Sequence, residues 1–228
     1  MTQPVAVLAS GGIDSCALVG DLARRHTVHP LYIACGLAWE QEEQSALDRF
    51  LTVLDAPAVR PVTVLPAPVA ALYGRRWSVT GLGVPAAGTS DAAVQLPGRN
   101  LLLLTVAAVW CSLNGVEDIA IGTLADNPMP DGSPAFIQEY ARCLSTGLAP
   151  HRISLSAPLA DMAKEEVIAQ FQELPLNEAL TCMAPTHNAA GMLLHCGACN
   201  KCSERRDAFQ RAGIADATRY ATDPEARA

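Results

Sequence analysis

Val5-Ala6-Val7-Leu8-Ala9-Ser10-Gly11-Gly12-Ile13-Asp14-Ser15 is the stretch that decides the fold. Val5 to Ala9 is an unbroken apolar run of the kind that forms a strand buried on both faces, and Ser15 to Arg25 carries a helical pattern. The turn between them gathers backbone N–H groups at a helix N-terminus. Its two glycines let the main chain approach an anion closely, the helix end supplies a positive dipole, and Ser10 and Ser15 add hydroxyls. A phosphate chain suits this chemistry. No Walker loop is present, because G-x-x-x-x-G-K-[ST] is missing and no lysine follows. The plainer alternative is a tight strand-to-helix turn capped by Asp14. Gly81-Leu82-Gly83 follows no strand and runs into Pro85, so it reads as a loop.

Working outward, strand and helix signals alternate. Val28 to Ala34 predicts a second strand, and Trp39 to Leu54 a helix with the stripe Trp39, Glu43, Leu47, Phe50, Leu51 and Leu54. Val59 to Leu65 predicts a third strand. Residues 66–98 are rich in Pro and Gly, which predicts an irregular insertion over the active face. Asn100 is placed to cap a helix over Leu101 to Leu113, with a strand at Asp118 to Gly122 after it. Helix Pro134 to Leu144, strand Arg152 to Ser156 and helix Met162 to Leu174 complete the series. The order predicts an α/β fold with a parallel, doubly wound sheet of about five strands. Its ligand is expected at the carboxyl ends of the strands. Two units are expected, a nucleotide-binding domain over 1–178 and a cysteine-rich segment with a terminal helix over 179–228.

Of 228 residues, 16 are Lys or Arg and 23 Asp or Glu, for a net charge of −7, and 50% are hydrophobic. That acidity disfavours a protein whose task is to hold duplex nucleic acid by its phosphates. The thirteen residues from Leu101 to Leu113 fall short of the roughly 20 that span a bilayer. No basic-then-apolar signal segment opens the sequence. A soluble, cytoplasmic protein is expected.

Four of the eight cysteines stand alone, and Cys16, Cys35, Cys111 and Cys143 read as small buried hydrophobes. Cys182, Cys196, Cys199 and Cys202 form two overlapping C-x-x-C steps, with Cys182 reaching across a loop. Four thiolates at about 2.3 Å complete a tetrahedral, structural Zn²⁺ site. Such binding contributes on the order of 10 kcal/mol to folding. The same four thiolates also suit an iron–sulfur cluster, and a redox pair is the weaker alternative. Gly197 and Lys201 lie inside the knuckle, where small size and a cation beside thiolates are favourable, and His187 and His195 read as loop residues.

Ser10-Gly11-Gly12-x-Asp14-Ser15 after the first strand resembles the pyrophosphate loop of the PP-loop ATP pyrophosphatases, which have an adenine nucleotide alpha hydrolase fold. With the cysteine cluster at the other end, the sequence resembles the 7-cyano-7-deazaguanine synthase family from Val5 to Gly213. The match includes His195-Cys196-Gly197-Ala198-Cys199-Asn200-Lys201-Cys202 through Arg205, Pro97-Gly98-Arg99-Asn100, Pro158-Leu159 through Lys164, and Pro130-Asp131-Gly132-Ser133-Pro134-Ala135-Phe136. The resemblance implies a ligase that uses ATP, Mg²⁺ and ammonia to turn the carboxylate of a deazapurine into a nitrile. It implies Leu8, Ser10, Gly11, Gly12, Asp14 and Ser15 around the nucleotide. Lys164, Arg99 and Asp14 take catalytic roles, Glu43, Asn100 and Asp131 hold the substrate, and Cys182, Cys196, Cys199 and Cys202 hold Zn²⁺. A homodimer is expected, with no membrane and no stably bound nucleic acid. Lys164 is one of two lysines, against fourteen arginines.

The sequence departs from the family pattern at the second strand, where the family's D-Y-G-Q-R-H-x-x-E gives way to Ala34-Cys35-Gly36-Leu37-Ala38-Trp39-Glu40-Gln41-Glu42. It departs again before Asp131, at Asn127-Pro128-Met129. Trp39 offers a stacking surface there, or core packing. The matched residues carry the activation chemistry more fully than the choice of carboxylate, so the alternatives are the same adenylation of another carboxylate, one on a protein partner included. A tRNA thiolase and a zinc-knuckle regulator are more distant readings.

Overall fold

The computed structural model describes residues 3–222. A five-stranded sheet, all parallel, has the order β3-β2-β1-β4-β5. Its strands are β1 (Pro4–Leu8), β2 (Thr27–Ala34), β3 (Thr63–Pro66), β4 (Asp118–Ala120) and β5 (Ser154–Ser156). The helices between them are α1 (Ile13–Leu22), α2 (Glu40–Leu54), the one-turn helices α3 (Ala70–Tyr73), α4 (Trp77–Thr80) and α5 (Asp91–Val94), α6 (Arg99–Asn114), α7 (Pro134–Gly147) and α8 (Lys164–Gln170). A two-residue hairpin, β6 (Thr186–His187) and β7 (Leu193–Leu194), then leads to α9 (Asn200–Ala212).

Alternation along β1 divides the core in two, as the two-residue period of a strand requires. Ala6 and Leu8 face Leu104, Ala107 and Cys111 of α6 and Ile137 of α7. Val5 and Val7 face Leu18 of α1, Phe50 of α2, Ile168 of α8 and Phe209 of α9. With helices on both faces, the central strand β1 is apolar throughout and lacks polar alternation. The chain winds from β1 outward through β2 to β3, then crosses to β4 on the other side, so the switch point lies between β1 and β4.

Several expectations need correction. The third strand is shorter than predicted: Pro61 has no N–H to give a ladder, so Val59 makes only an isolated bridge to Val28 and pairing resumes at Thr63. The first helix ends at Leu22, three residues short of Arg25, and α8, at Lys164–Gln170, starts and ends inside the expected Met162 to Leu174. Asp14 does not cap α1, because Gly12 holds that position. Asn100 is not a cap either. Gly98, at φ +73°, precedes the helix, and a carboxylate from a distant segment meets the Asn100 N–H, which donates to Asp131 Oδ2 at 2.9 Å. Cys143 is exposed on α7, whereas Cys16, Cys35 and Cys111 are buried as expected.

After β3 ends at Pro66, the segment up to residue 98 holds the one-turn helices α3, α4 and α5 joined by irregular chain. It is pinned to the cysteine knuckle by Ala87 N–H to Ala198 O, Asn200 N–H to Pro85 O (both 2.9 Å) and a bridge between Ala86 and Cys199. The insertion and the C-terminal segment thus wall in the same end of the sheet.

Candidate active site and metal centre

At the β1/β4 switch point opens a cavity of about 610 Å³, within the usual range for small-molecule sites. The turn after β1 forms its floor. Ser10 Oγ accepts from Gly12 N–H and lies 3.3 Å from Ser15 Oγ, while Ser15 Oγ donates to Gly12 O at 3.0 Å. Gly11 has to be glycine for two reasons. Its φ is +80°, and a Cβ there would lie 2.7 Å from the Glu43 carbonyl oxygen of α2. Close packing of the turn on α2 therefore fixes the loop beside Glu43.

Leu8, Ser10, Gly12, Asp14 and Ser15 line this cavity together with Glu43, Arg99, Asn100, Asp131 and Lys164. Gly11 sits in the same turn. Ten residues drawn from β1, α1, α2, α6, α8 and the turn before α7 thus meet at one place. Lys164 is no solvated first-turn residue: its side chain is 8% exposed and its ammonium contacts Glu204 and, at 3.4 Å, Asp14 Oδ2. Burial pulls the Lys164 ammonium down, but the two carboxylates outweigh it and hold it charged, above its ordinary range. Burial pushes the Asp14 carboxyl up, against the pull of Lys164. Asp14 Oδ1 and Arg99 Nε are buried without a partner among the described residues, as is Thr123 Oγ1 just past β4. Buried polar atoms seldom stay unpaired, and three of them on one cavity fit a polar ligand.

Glu43 accepts from Tyr32 OH at 2.8 Å and from Trp39 Nε1 at 3.0 Å. Burial raises its carboxyl, with Arg99 and the two hydrogen bonds opposing. Trp39 is therefore no open stacking surface. It is buried against Trp77 with ring centroids 5.5 Å apart, and it holds Glu43. Asp131 is committed to Asn100, whose Nδ2 lies 3.4 Å from Oδ1.

Cys182, Cys196, Cys199 and Cys202 bring their Sγ atoms within 4.8 Å of one another. A regular tetrahedron with bonds of about 2.3 Å has edges of about 3.8 Å, and Cys196 Sγ to Cys202 Sγ is 3.8 Å. The backbone N–H groups of Ala198 and Cys199 both point at Cys196 Sγ at 3.4 Å, an arrangement that stabilises a thiolate. The four cysteines thus fit a metal ion. His195, buried next to them, accepts from Thr181 N–H through Nε2 at 3.0 Å; burial holds it neutral, with its pKa lowered to about 3.

Sequence reading missed Glu204, which contacts both Lys164 and Lys201, and the placement of Lys201, whose ammonium pairs with Glu204. It also gave Arg205 no role. That side chain is fully buried and bonds to Leu176 O, Ala179 O, Thr181 Oγ1 and Thr218 Oγ1. The signal available was the scarcity of lysine and the helical spacing after Cys202.

The family model described as queuosine biosynthesis protein QueC matches residues 4–213. The chain belongs to that family. The match takes in both the loop after β1 and all four cysteines, so QueC-family membership rests on both ends of the site. Among curated relatives, the 7-cyano-7-deazaguanine synthase 1 of Sphingopyxis alaskensis is 32% identical, covering 96% of this chain and 99% of that protein. The 7-cyano-7-deazaguanine synthase of Dechloromonas aromatica is 29% identical over the same shares. Among solved structures, the U34-tRNA thiolase NcsA from Methanococcus maripaludis, with its 4Fe-4S cluster, superposes with a TM-score of 0.51 at 14% identity, covering 97% of this chain and 77% of that one. At that identity the likeness is one of fold, and this QueC-family chain shares the doubly wound parallel architecture. No helix among the described residues is long and apolar enough to cross a membrane.

Proposed function

We propose that the protein is an ATP-dependent carbon–nitrogen ligase that converts 7-carboxy-7-deazaguanine to 7-cyano-7-deazaguanine with ammonia, and that its four cysteines hold a structural zinc ion. The observation that carries this reading is the meeting of the Ser10-Gly11-Gly12-Asp14-Ser15 turn, Arg99 and Lys164 around one cavity at the sheet's switch point. The names of the two full-length relatives support the substrate. In the first activation a carboxylate oxygen attacks the α-phosphorus of ATP, and pyrophosphate leaves. Ammonia then displaces AMP to give the amide, and a second ATP activates the amide oxygen so that it departs with AMP as the nitrile forms.

The protein's part is charge placement. Negative charge grows on the departing pyrophosphate, where the first N–H groups of α1, Lys164 and Arg99 stabilise it; positioned donors of this kind are each worth about a hundredfold or more in rate. Mg²⁺ carried by the nucleotide would supply further charge neutralisation, and Asp14 Oδ1, buried and without a partner among the described residues, would help to hold it. Glu43 lines the cavity with its oxygens oriented by Tyr32 and Trp39, and their remaining lone pairs suit the N–H edge of a purine-like ring.

A second reading keeps the activation and changes the carboxylate. It is favoured by Leu37 and Trp39, both buried, which leave the β2–α2 turn with little polar reach toward a substrate ring. One assay separates the two: protein with Mg-ATP, ammonium and 7-carboxy-7-deazaguanine, followed by mass spectrometry. The nitrile is expected, with AMP. AMP formed only with another acceptor would establish the second reading. Metal analysis is expected to find about one zinc per chain, and a brown, iron-rich preparation would overturn the zinc assignment.

A further inference from the structure

We propose that Lys201 is a further phosphate-binding cation of the cavity, beside Lys164 and Arg99, delivered by the metal knuckle, and that Glu204 holds the two lysines in the place phosphate takes when nucleotide enters. The proposal rests on the ATP reading above. The sequence has two lysines among 228 residues, and both ammonium groups meet the same carboxylate: Lys164 contacts Glu204 Oε1 and Lys201 contacts Oε2. Through Lys164 the chain of charges continues to Asp14 Oδ2 in the turn after β1. All four groups line the cavity. A lysine pair scattered over the surface at random would not converge in this way.

The helix geometry explains the delivery. Cys199 is the residue before α9 and Cys202 lies in its first turn, so a metal on the four cysteines fixes the start of the helix. Lys201 and Glu204 are three residues apart and therefore neighbours on one face. Asn200, Asp207 and Arg211 continue that face along the cavity, and Asn200 Oδ1 is buried without a partner among the described residues. Cys202, Arg205 and Phe209 take the opposite, buried face. The two lysines differ in freedom. Lys164 is 8% exposed, while Lys201 is 33% exposed on a flexible stem and can exchange a carboxylate oxygen for a phosphate oxygen without unpacking anything.

Calorimetric titration of the metal-loaded protein with inorganic pyrophosphate, and separately with Mg-ATP, tests this, with metal content measured for each variant. Lys201→Met is expected to weaken pyrophosphate binding about tenfold or more, the scale of one charge-assisted contact, at unchanged metal content, and Lys201→Arg to recover most of it. Glu204→Gln, which removes the competing carboxylate charge, is expected to tighten pyrophosphate binding about threefold or more. Wild-type affinity in Lys201→Met overturns the proposal. If Lys201→Met loses its metal, Glu204→Gln decides, and unchanged or weaker pyrophosphate binding there overturns it. A wild-type protein that bound neither pyrophosphate nor Mg-ATP would instead overturn the ATP reading, a result distinct from equal binding by wild type and Lys201→Met.

Discussion

Lys164→Met is expected to lower the rate of AMP formation by at least about a hundredfold while leaving the metal content intact. The reason lies in what the ammonium does in two states. In the resting protein it sits between Asp14 and Glu204, and in the proposed reaction it is a buried cation beside the turn where pyrophosphate would be held. A buried cation in a site with little water acts at low effective dielectric, so its attraction for developing charge exceeds that of a surface lysine. Methionine keeps the length of the stem and removes only the charge. The substitution also leaves two carboxylates without their shared partner, which destabilises by about 3–5 kcal/mol when a buried pair is broken. The two effects separate experimentally. Pre-steady-state AMP release at a temperature well below the melting transition reads the chemistry, and thermal melting reads the fold. A variant that melts earlier yet releases AMP at the wild-type rate would remove Lys164 from the reaction and leave it a structural ion-pair partner.

Local patterns made most of the sheet legible. β1, its turn and α1 follow from consecutive residues, since an apolar run, two glycines and an amphipathic stretch specify strand, turn and helix with little help from elsewhere. The cysteine cluster was legible for the same reason, because ligand spacing is a property of short segments. The misses share a different cause. The start of α6 is set by Asp131, which lies 31 residues beyond Asn100, so the Asn100 side chain had no role as a cap. Trp39, read either as a stacking surface or as core, is core, and Trp77 from the insertion packs over it. Glu204 gains its meaning from Lys164, 40 residues earlier, and Lys201 from Glu204 in turn. Except for the Lys201–Glu204 pair, whose i,i+3 spacing on α9 was readable, tertiary contact assigns these side chains their partners, and neither propensity nor periodicity carries that information. Cys143 is the converse: its neighbour Leu144 is buried, and a rotation of one residue on α7 places the thiol outside.

Arg205→Met is expected to lower the melting temperature by about 10 °C and to make the metal easier to strip with a chelator. Arg205 ties α9 to residues 176–181 and to Thr218. Nη1 donates to Ala179 O at 3.0 Å and Thr181 Oγ1 at 3.2 Å, Nη2 donates to Leu176 O at 3.0 Å, and Nε donates to Thr218 Oγ1 at 2.6 Å. Asp216 lies 3.9 Å away, and the guanidinium stacks over Phe209 at 5.2 Å. Methionine fills much of the volume but leaves the Ala179 carbonyl oxygen without a donor, the Leu176 carbonyl with only the Ala179 N–H, and Asp216 without its cation. Each orphaned acceptor costs about 1–3 kcal/mol, and loss of the cation adds to that. At about 2–4 °C per kcal/mol for a protein of this size, a loss of 3–5 kcal/mol gives the stated shift. Lysine is no substitute, since a single ammonium cannot present a planar fork to carbonyls on two sides. The metal effect follows from position: Thr181 adjoins Cys182, and Arg205 is one helical turn beyond Cys202, so freeing the guanidinium loosens two of the four ligands at once. Melting within about 2 °C of wild type, half the shift expected for 1 kcal/mol at the upper end of that range, would show that water replaces the guanidinium at little cost and that the knuckle is held by its metal alone.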